Sequence, residues 1–198
     1  KLAFIRFRLN RDPIWWKRRK FPRRRRLVYV PKAALAVALA ANSNSTSASA
    51  TTVTISTSAG SLLVIYTGEG ANNTSTVAIS DTASNTWSQV ASGYSSANTS
   101  SRCSMNFVAN ASAVTSVTAT WSGSLSTTVS AVVYEITGAA TSSPEDASVN
   151  SAVNASETSA TSGGLTTSTA DTILLFGVRW GSNTSAPVVG SGYTFPTN

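Results

Sequence analysis

Ser61-Leu62-Leu63-Val64-Ile65-Tyr66 is the stretch that decides the fold of this 198-residue chain. Its apolar residues follow one another without the polar alternation that is typical of a strand with one face in water. Gly60 precedes the run and Gly68-Glu69-Gly70 follows it, so turn-forming residues lie at both ends. The pattern therefore predicts a strand that is buried on both faces.

Shorter apolar clusters recur on either side of this strand at regular intervals. Val53 and Ile55 alternate with threonine and serine, and Val77 and Ile79 precede Asp81. No segment of useful length has the period of a helix, and evenly spaced strands favour a sandwich or jelly roll. We therefore predict an all-β fold, an antiparallel β-sandwich or jelly roll preceded by an extended basic N-terminal arm. The remaining predicted strands are Trp87 to Val90, Cys103 to Val108, Val117 to Trp121, Val129 to Ile136 and Thr172 to Trp180.

The composition excludes several classes of enzyme. The chain contains no histidine, which removes the commonest general base, the Ser-His-Asp triad and the commonest zinc ligand. Its one cysteine, Cys103, allows no intrachain disulfide and is predicted to be a small strand residue. Glu135 lies in a predicted strand without an identifiable second carboxylate for glycoside hydrolysis. We therefore predict no enzyme activity, no cofactor and no metal site.

The distribution of charge divides the chain into two regions of opposite net charge. Residues 1–32 contain thirteen of the fifteen basic residues and one acid, which gives a net charge of +12. The remaining residues contain two basic and seven acidic side chains, a net charge of −5. We predict a basic, aromatic anchoring arm over residues 1–41, a Ser/Asn-rich hinge over residues 42–50 and a β-sandwich domain over residues 51–198. By propensity, Ala33 to Ala41 suits one or two helical turns.

The arm combines basic residues with aromatic and apolar ones. Ile5 to Arg8 alternates apolar and basic side chains, which predicts a short strand. Because Arg and Trp are favoured anchors in protein interfaces, we favour docking of the arm onto an acidic protein surface. Nucleic acid is the second interpretation, since a dense basic run neutralises phosphates and aromatics stack on bases; a solvated or targeting tail is the third. The predicted partner-docking residues are Ile5, Phe7, Trp15, Trp16, Arg18, Arg19, Phe21, Arg23, Arg24, Arg25, Arg26 and Tyr29.

An apolar run from Ala33 to Ala41 follows the arginines, an order that secretion signals also have. Pro31 and Lys32 interrupt the apolar stretch, which is far shorter than the roughly twenty residues that a membrane span needs. We therefore predict no membrane span.

Other polar and aromatic side chains are candidates for ligand sites. Asp81 with Asn85, or Glu145-Asp146, suits either a Ca²⁺ site or turn chemistry, in which these side chains bond to nearby backbone. Turn chemistry is the favoured interpretation. The tryptophans of the body suit either a sugar-stacking platform or core packing, and core packing is favoured. These tryptophans are Trp87, Trp121 and Trp180.

Several elements of the chain occur together in one order. They are Ser58-Ala59-Gly60-Ser61-Leu62-Leu63-Val64, Asp81-Thr82-Ala83-Ser84-Asn85-Thr86-Trp87, Val117-Thr118-Ala119-Thr120-Trp121, Val133-Tyr134-Glu135-Ile136-Thr137-Gly138 with Ser143-Pro144-Glu145-Asp146, Thr169-Ala170-Asp171-Thr172-Ile173-Leu174-Leu175-Phe176-Gly177 and Gly190-Ser191-Gly192-Tyr193-Thr194. In this order they resemble a β-sandwich module of tailed-bacteriophage structural proteins and bacterial extracellular proteins. The resemblance covers Thr51 to Thr194 and rests on strands and turns, not on catalytic residues.

Two features depart from that module. Ser84 stands where the family usually has glycine, which leaves the conformation of this turn open. The family also continues past the Gly-x-Gly-Tyr-Thr element into further strands, so either the sheet closes differently or a partner supplies an edge. The resemblance thus implies a homo-oligomer or a member of a lattice.

The resemblance and the arm together imply a virion structural protein of a tailed bacteriophage. Its arm is expected to dock onto capsid, portal or tail subunits, and its sandwich to project as a decoration or fibre-like module. The alternative is an extracellular glycan-binding or adhesive module, outside a bacterium or on its surface. A third hypothesis is a small-virus coat protein whose arm binds the genome.

Overall fold

The computed structural model describes residues 2–7, 36–46, 49–70, 76–90, 102–123, 128–146, 150–152, 166, 168, 172–178, 188 and 190–192. Every regular element in these ranges is a β-strand and none is a helix, so the all-β prediction is confirmed. Within the same ranges no helix long and apolar enough to cross a membrane is found. The strands, in chain order, are β1 (Leu2–Phe7), β2 (Ala36–Thr46), β3 (Ala50–Thr54), β4 (Ser61–Glu69), β5 (Val77–Asp81), β6 (Ser88–Gln89), β7 (Arg102–Ala111), β8 (Ser116–Trp121), β9 (Thr128–Thr137), β10 (Asn150–Ala152) and β11 (Ile173–Val178).

Two antiparallel sheets pack face to face. The large sheet has the strand order β2-β9-β4-β7-β6, and the small sheet has the order β3-β8-β5. Side chains from both sheets meet in one apolar core, which is the arrangement of a β-sandwich. The predicted sandwich is therefore confirmed in the described residues. A third sheet, called the β1 sheet below, has the order β10-β1-β11.

Strand β4 is buried along its whole length, as its unbroken apolar run predicts. It lies in the middle of the large sheet, paired with β7 on one side and with β9 on the other. Leu63 and Ile65 pack in the core with the small sheet, while Leu62 and Val64 pack in a second core on the opposite face. Burying one such side chain stabilises a fold by about 1.5–3 kcal/mol, so β4 contributes to both cores.

The second core lies between the large sheet and strand β11 of the β1 sheet. Ile173 and Leu175 of β11 pack against the cluster that contains Tyr66. A Cβ atom added at Gly177 would lie 2.3 Å from Cδ2 of the Tyr66 ring, so only glycine allows this close approach. Strand β1 pairs along its full length with β11, from Leu2 opposite Val178 onward. The strand predicted near Ile5 is thus part of this sheet.

Strand β2 replaces the helical turn that the sequence suggested near its start. The helical prediction is wrong for residues 36–41, because they lie in strand β2, where Ala36 to Leu39 pair with β9. Helix propensity is a weak preference, and an open sheet edge offers the backbone hydrogen bonds that tertiary structure favours. The strand also includes residues 42–46 of the predicted hinge, with a register shift between Leu39 and Asn42.

Cys103 is a free, buried cysteine in β7, as the sequence predicts. In the same strand, Ser104 and Asn106 point into the space between the two packed sheets and are also buried. Thr67 Oγ1 and Ser104 Oγ are hydrogen-bonded at 2.7 Å, and the Ser104 hydroxyl donates to Asn106 Oδ1 at 3.3 Å. This network satisfies polar groups that would otherwise destabilise the interior.

Candidate functional site

Most of the predicted partner-docking residues lie outside the described residues. Ile5 and Phe7 are described at the level of the backbone, where β1 pairs them with Leu175 and Ile173 of β11. The docking of these side chains onto a partner stays a prediction. The predicted docking residues outside the described part of the chain are Trp15, Trp16, Arg18, Arg19, Phe21, Arg23, Arg24, Arg25, Arg26 and Tyr29.

The carboxylate of Asp81 organises the turn that follows strand β5. Its Oδ1 accepts hydrogen bonds from the backbone N–H groups of Ala83 at 2.8 Å and Asn85 at 3.2 Å. Its Oδ2 accepts a hydrogen bond from Nε1 of Trp87 at 2.7 Å. Burial alone would raise the pKa of Asp81, but these hydrogen bonds outweigh it and hold the pKa below its ordinary value of 3.8.

Asn85 ties this turn to the start of the β7–β8 connection. Its Oδ1 accepts from the backbone N–H of Ser112 at 2.9 Å, and its Nδ2 donates to the Ser112 carbonyl at 3.3 Å. Ser84, which lies between Asp81 and Asn85, has a φ of +57°, in the left-handed region that glycine adopts without cost. The turn thus has a backbone conformation that glycine would suit, although a serine occupies it.

Turn chemistry therefore accounts for the Asp81 and Asn85 side chains. Both carboxylate oxygens of Asp81 already accept hydrogen bonds from its own turn. No group of three or more His, Cys, Asp or Glu side chains that could hold a metal ion occurs within the ranges given above. The favoured interpretation of this motif is confirmed.

The tryptophans do not form a platform in the described part of the chain. Trp121 is only 4% exposed and belongs to the core between the two packed sheets, so the core interpretation is confirmed for it. Trp87 is partly buried against the same core, and its indole N–H is bound to Asp81. Trp180 lies outside the described residues.

Glu135 has a structural role at the start of β4, at the same end of the sandwich as the Asp81 turn, because both sites adjoin the β7–β8 connection. It is 9% exposed, and its Oε1 accepts hydrogen bonds from the backbone N–H of Ser58 and from the Ser61 hydroxyl, both at 2.7 Å. The carboxylate thereby fixes the β3–β4 connection to the start of β4. A carboxylate held in this way is positioned to stabilise the fold.

A pocket of about 400 Å³ opens beside strand β6 at the edge of the large sheet. Strand β6 is short: Ser88 pairs with Phe107 and Gln89 with Asn106, and the Val90 N–H then donates to the Met105 carbonyl at 3.0 Å. The chain around Ser143 closes the other side, and Ser143 has a φ of +46°, which is unfavourable for a residue other than glycine. The pocket is lined by Thr86, Ser88, Phe107, Val108, Ala109, Ser143, Pro144 and Glu145.

Glu145 is the charged residue of this pocket. Burial raises the pKa of its carboxyl group above the ordinary value of 4.5, and no hydrogen bond to that carboxyl group occurs among the described residues. The neighbouring Asp146 is turned to a different partner and accepts hydrogen bonds from the backbone N–H and the hydroxyl of Ser168. The two adjacent acids therefore do not act as a pair.

The lining residues give the pocket a defined chemistry. Three hydroxyl groups and one carboxyl group lie around an apolar surface formed by Phe107, Ala109 and Pro144. Among the described lining residues there is neither a basic side chain nor a cysteine. This arrangement is suited to binding a ligand. No local sequence pattern predicts the pocket, because its residues come from three distant segments.

Comparison of the chain with protein-family models, with curated proteins and with solved structures finds no match.

Proposed function

We propose that this chain is a virion structural protein of a tailed bacteriophage, with a sandwich that projects from the particle and a basic segment that docks it there. The division of charge is the observation that supports this most. Residues 1–32 carry a net charge of +12, and the rest of the chain carries −5. The basic segment attracts an acidic partner and the acidic body repels it, so such a protein is suited to bind that partner through the basic segment alone.

The connectivity of the strands supports an anchoring role for the basic segment. Its first residues form β1, which pairs with β11, and the chain continues after the segment into β2 at the edge of the large sheet. The basic residues that follow Phe7 are therefore joined to the body at both ends. A segment attached to the body at both ends is more restricted in position than a tail attached at one end, because fixing both ends removes backbone conformations.

The described carboxylates of the body also support a structural role. Asp81 and Glu135 accept hydrogen bonds from their own turns, which stabilises the sandwich.

The proposal is tested by removing charge without removing strand β1. In the variant, Arg23, Arg24, Arg25 and Arg26 are all replaced by glutamine, and the protein is produced during assembly of the particles. We expect at least a tenfold drop in the amount that sediments with purified particles, because Arg–carboxylate contacts across the interface are lost. Deletion of residues 1–32 is less suitable, since it would also remove β1 from its sheet.

The control variant carries four glutamine substitutions on the outer face of the small sheet, at Thr52, Thr54, Ser80 and Thr120, all of which are exposed. It should sediment with particles like the unmodified chain, and both variants should keep the same unfolding transition. Full retention of the arginine variant on particles contradicts the proposal. Retention that depends on packaged genome, and is lost with empty particles, would instead favour the nucleic-acid interpretation.

Two of the three tryptophans on which the glycan-binding alternative rests have other contacts. Trp121 is in the core, and the indole N–H of Trp87 is bound to Asp81. A sugar site on the body therefore needs other residues than these two tryptophans.

A further inference from the structure

The pocket beside β6 has the size and position of a ligand site. Its volume of about 400 Å³ lies at the lower end of the range of about 300–1,000 Å³ that is usual for small-molecule sites. It lies where the chain enters β6, with Thr86 and Ser88 across from Phe107 and Ala109. A ligand of monosaccharide or disaccharide size matches this space.

The chemistry of the lining excludes several ligand classes. An anion such as phosphate would meet the Glu145 carboxyl group with no cation among the described lining residues to offset the repulsion. A metal ion would find one carboxyl group, whereas Ca²⁺ takes six to eight oxygen ligands. A purely apolar ligand would cover the carboxyl group and the hydroxyls of Thr86 and Ser143 without bonding to them, which is costly.

A neutral saccharide satisfies each part of the pocket. Its hydroxyl groups donate to the Glu145 carboxylate and exchange hydrogen bonds with Thr86, Ser88 and Ser143. The C–H face of a pyranose ring covers apolar side chains, and Phe107 provides such a surface. We propose that the pocket beside β6 binds a neutral saccharide unit, with Glu145 as the main hydrogen-bond acceptor and Phe107 as the apolar contact.

Two unfavourable features of the free protein coincide at this pocket. The Glu145 carboxyl group is partly buried with no described donor, and Ser143 has a left-handed backbone conformation. Such features persist where the surrounding structure holds them, and they concentrate at binding sites. A bound saccharide would add donors to a carboxyl group that accepts no hydrogen bond from the described residues. The inference goes beyond the proposed structural role and does not depend on it.

The experiment measures binding of methyl glycosides of glucose, galactose, mannose and N-acetylglucosamine to the full chain by saturation-transfer NMR and titration. At least one glycoside is expected to bind with a Kd on the order of 1 mM, which is usual for so small a ligand. Glu145→Gln should weaken that binding about tenfold, since a neutral amide oxygen is a weaker acceptor than a carboxylate. Ser88→Trp should abolish it by filling the pocket.

The matched control is Ser80→Trp, which places the same side chain at an exposed position of β5 on the small sheet. It should bind the glycoside like the unmodified chain. Lack of binding by all four glycosides overturns the proposal, as does binding that survives both Glu145→Gln and Ser88→Trp. Methylammonium and inorganic phosphate are titrated in parallel, and binding of either one with no glycoside binding also overturns it. Particle sedimentation is a separate measurement, so failure here leaves the structural proposal standing.

Discussion

Asp81 and Glu145 are both partly buried carboxyl groups of the sandwich, and their pKa values move in opposite directions. Asp81 accepts three hydrogen bonds from its own turn, which hold its pKa below 3.8 in spite of burial. Glu145 lines an open pocket, and burial alone raises its pKa above 4.5. The first group stabilises the fold when ionised, whereas ionisation of the second costs stability.

This difference separates residues that hold the structure from a residue that is available to a ligand. A carboxylate that accepts bonds from its own backbone cannot also bind a partner without giving those bonds up. Glu135 belongs with Asp81 in this respect, because Ser58 and Ser61 donate to it. Substitutions at the three carboxyl groups should therefore have effects of different size and sign.

The largest effect is expected for Glu135→Leu. The substitution leaves the N–H of Ser58 and the buried hydroxyl of Ser61 without their acceptor. Loss of hydrogen bonds to a charged group costs about 1.5–3 kcal/mol each, so the free energy of unfolding should fall by roughly 3 kcal/mol. Urea unfolding at pH 7 measures it, with Glu135→Gln as the control that keeps an acceptor oxygen. A loss of stability under about 1 kcal/mol would show that Glu135 does not stabilise the fold as Asp81 does.

Asp81→Asn is expected to lower stability by about 2 kcal/mol at pH 7. An asparagine oxygen can still accept from Ala83 and Asn85, but its amide would face the indole N–H of Trp87, which is donor against donor. Because the folded pKa is lowered, the contribution of Asp81 is fully present above pH 3.8 and is lost as pH falls through the folded value.

The variant should therefore lose part of the acid sensitivity of the unmodified chain. Unfolding curves at several pH values between 2 and 5 test this prediction. Equal acid sensitivity in both proteins would show that Asp81 does not titrate as its hydrogen bonds require.

Ser84→Gly should stabilise the chain by about 0.5–1 kcal/mol. Ser84 has a φ of +57°, and side chains other than glycine are disfavoured there by about 1–2 kcal/mol, partly offset by the greater freedom of glycine when unfolded. Thermal unfolding measures the change. Ser80→Gly in strand β5 is the control, and its stability should fall, because glycine weakens a regular strand. A loss of stability at both positions would contradict the left-handed turn.

The smallest effect on stability is expected for Glu145→Gln, below about 0.5 kcal/mol and in the stabilising direction at pH 7. Burial raises the pKa of Glu145, so ionisation above that value costs stability, and the cost disappears below pH 4.5. The two proteins should differ most at neutral pH and least at pH 4 in urea unfolding. A clear loss of stability in the variant would place Glu145 with Asp81 and Glu135.

The strands of the sandwich were largely predictable, because hydrophobic patterning is a local property. The run at Ser61 predicts β4 and its burial on both faces, and the alternation around Val53 and Val77 predicts strands β3 and β5. Strand β2 was not predictable in the same way. Its Ala-rich residues favour a helix weakly, and pairing with β9 decides the outcome.

The Asp81 turn was predictable and the pocket was not, for one physical reason. All groups that donate hydrogen bonds to Asp81 lie within six residues of it, so the local sequence is enough to predict this turn. The pocket unites residues near Thr86, Phe107 and Glu145, which only the pairing of the sheet brings together.

The sequence by itself determined that this chain has two oppositely charged parts, that its body is made of strands and that β4 is buried on both faces. Composition and periodicity carry that information, because burial of apolar side chains is the dominant driving force of folding. Only the tertiary structure decided that β1 pairs with β11, that Ser104 and Asn106 are buried together and that Glu145 lines a pocket. Each of these depends on contacts between residues far apart in the chain, which local patterns do not encode.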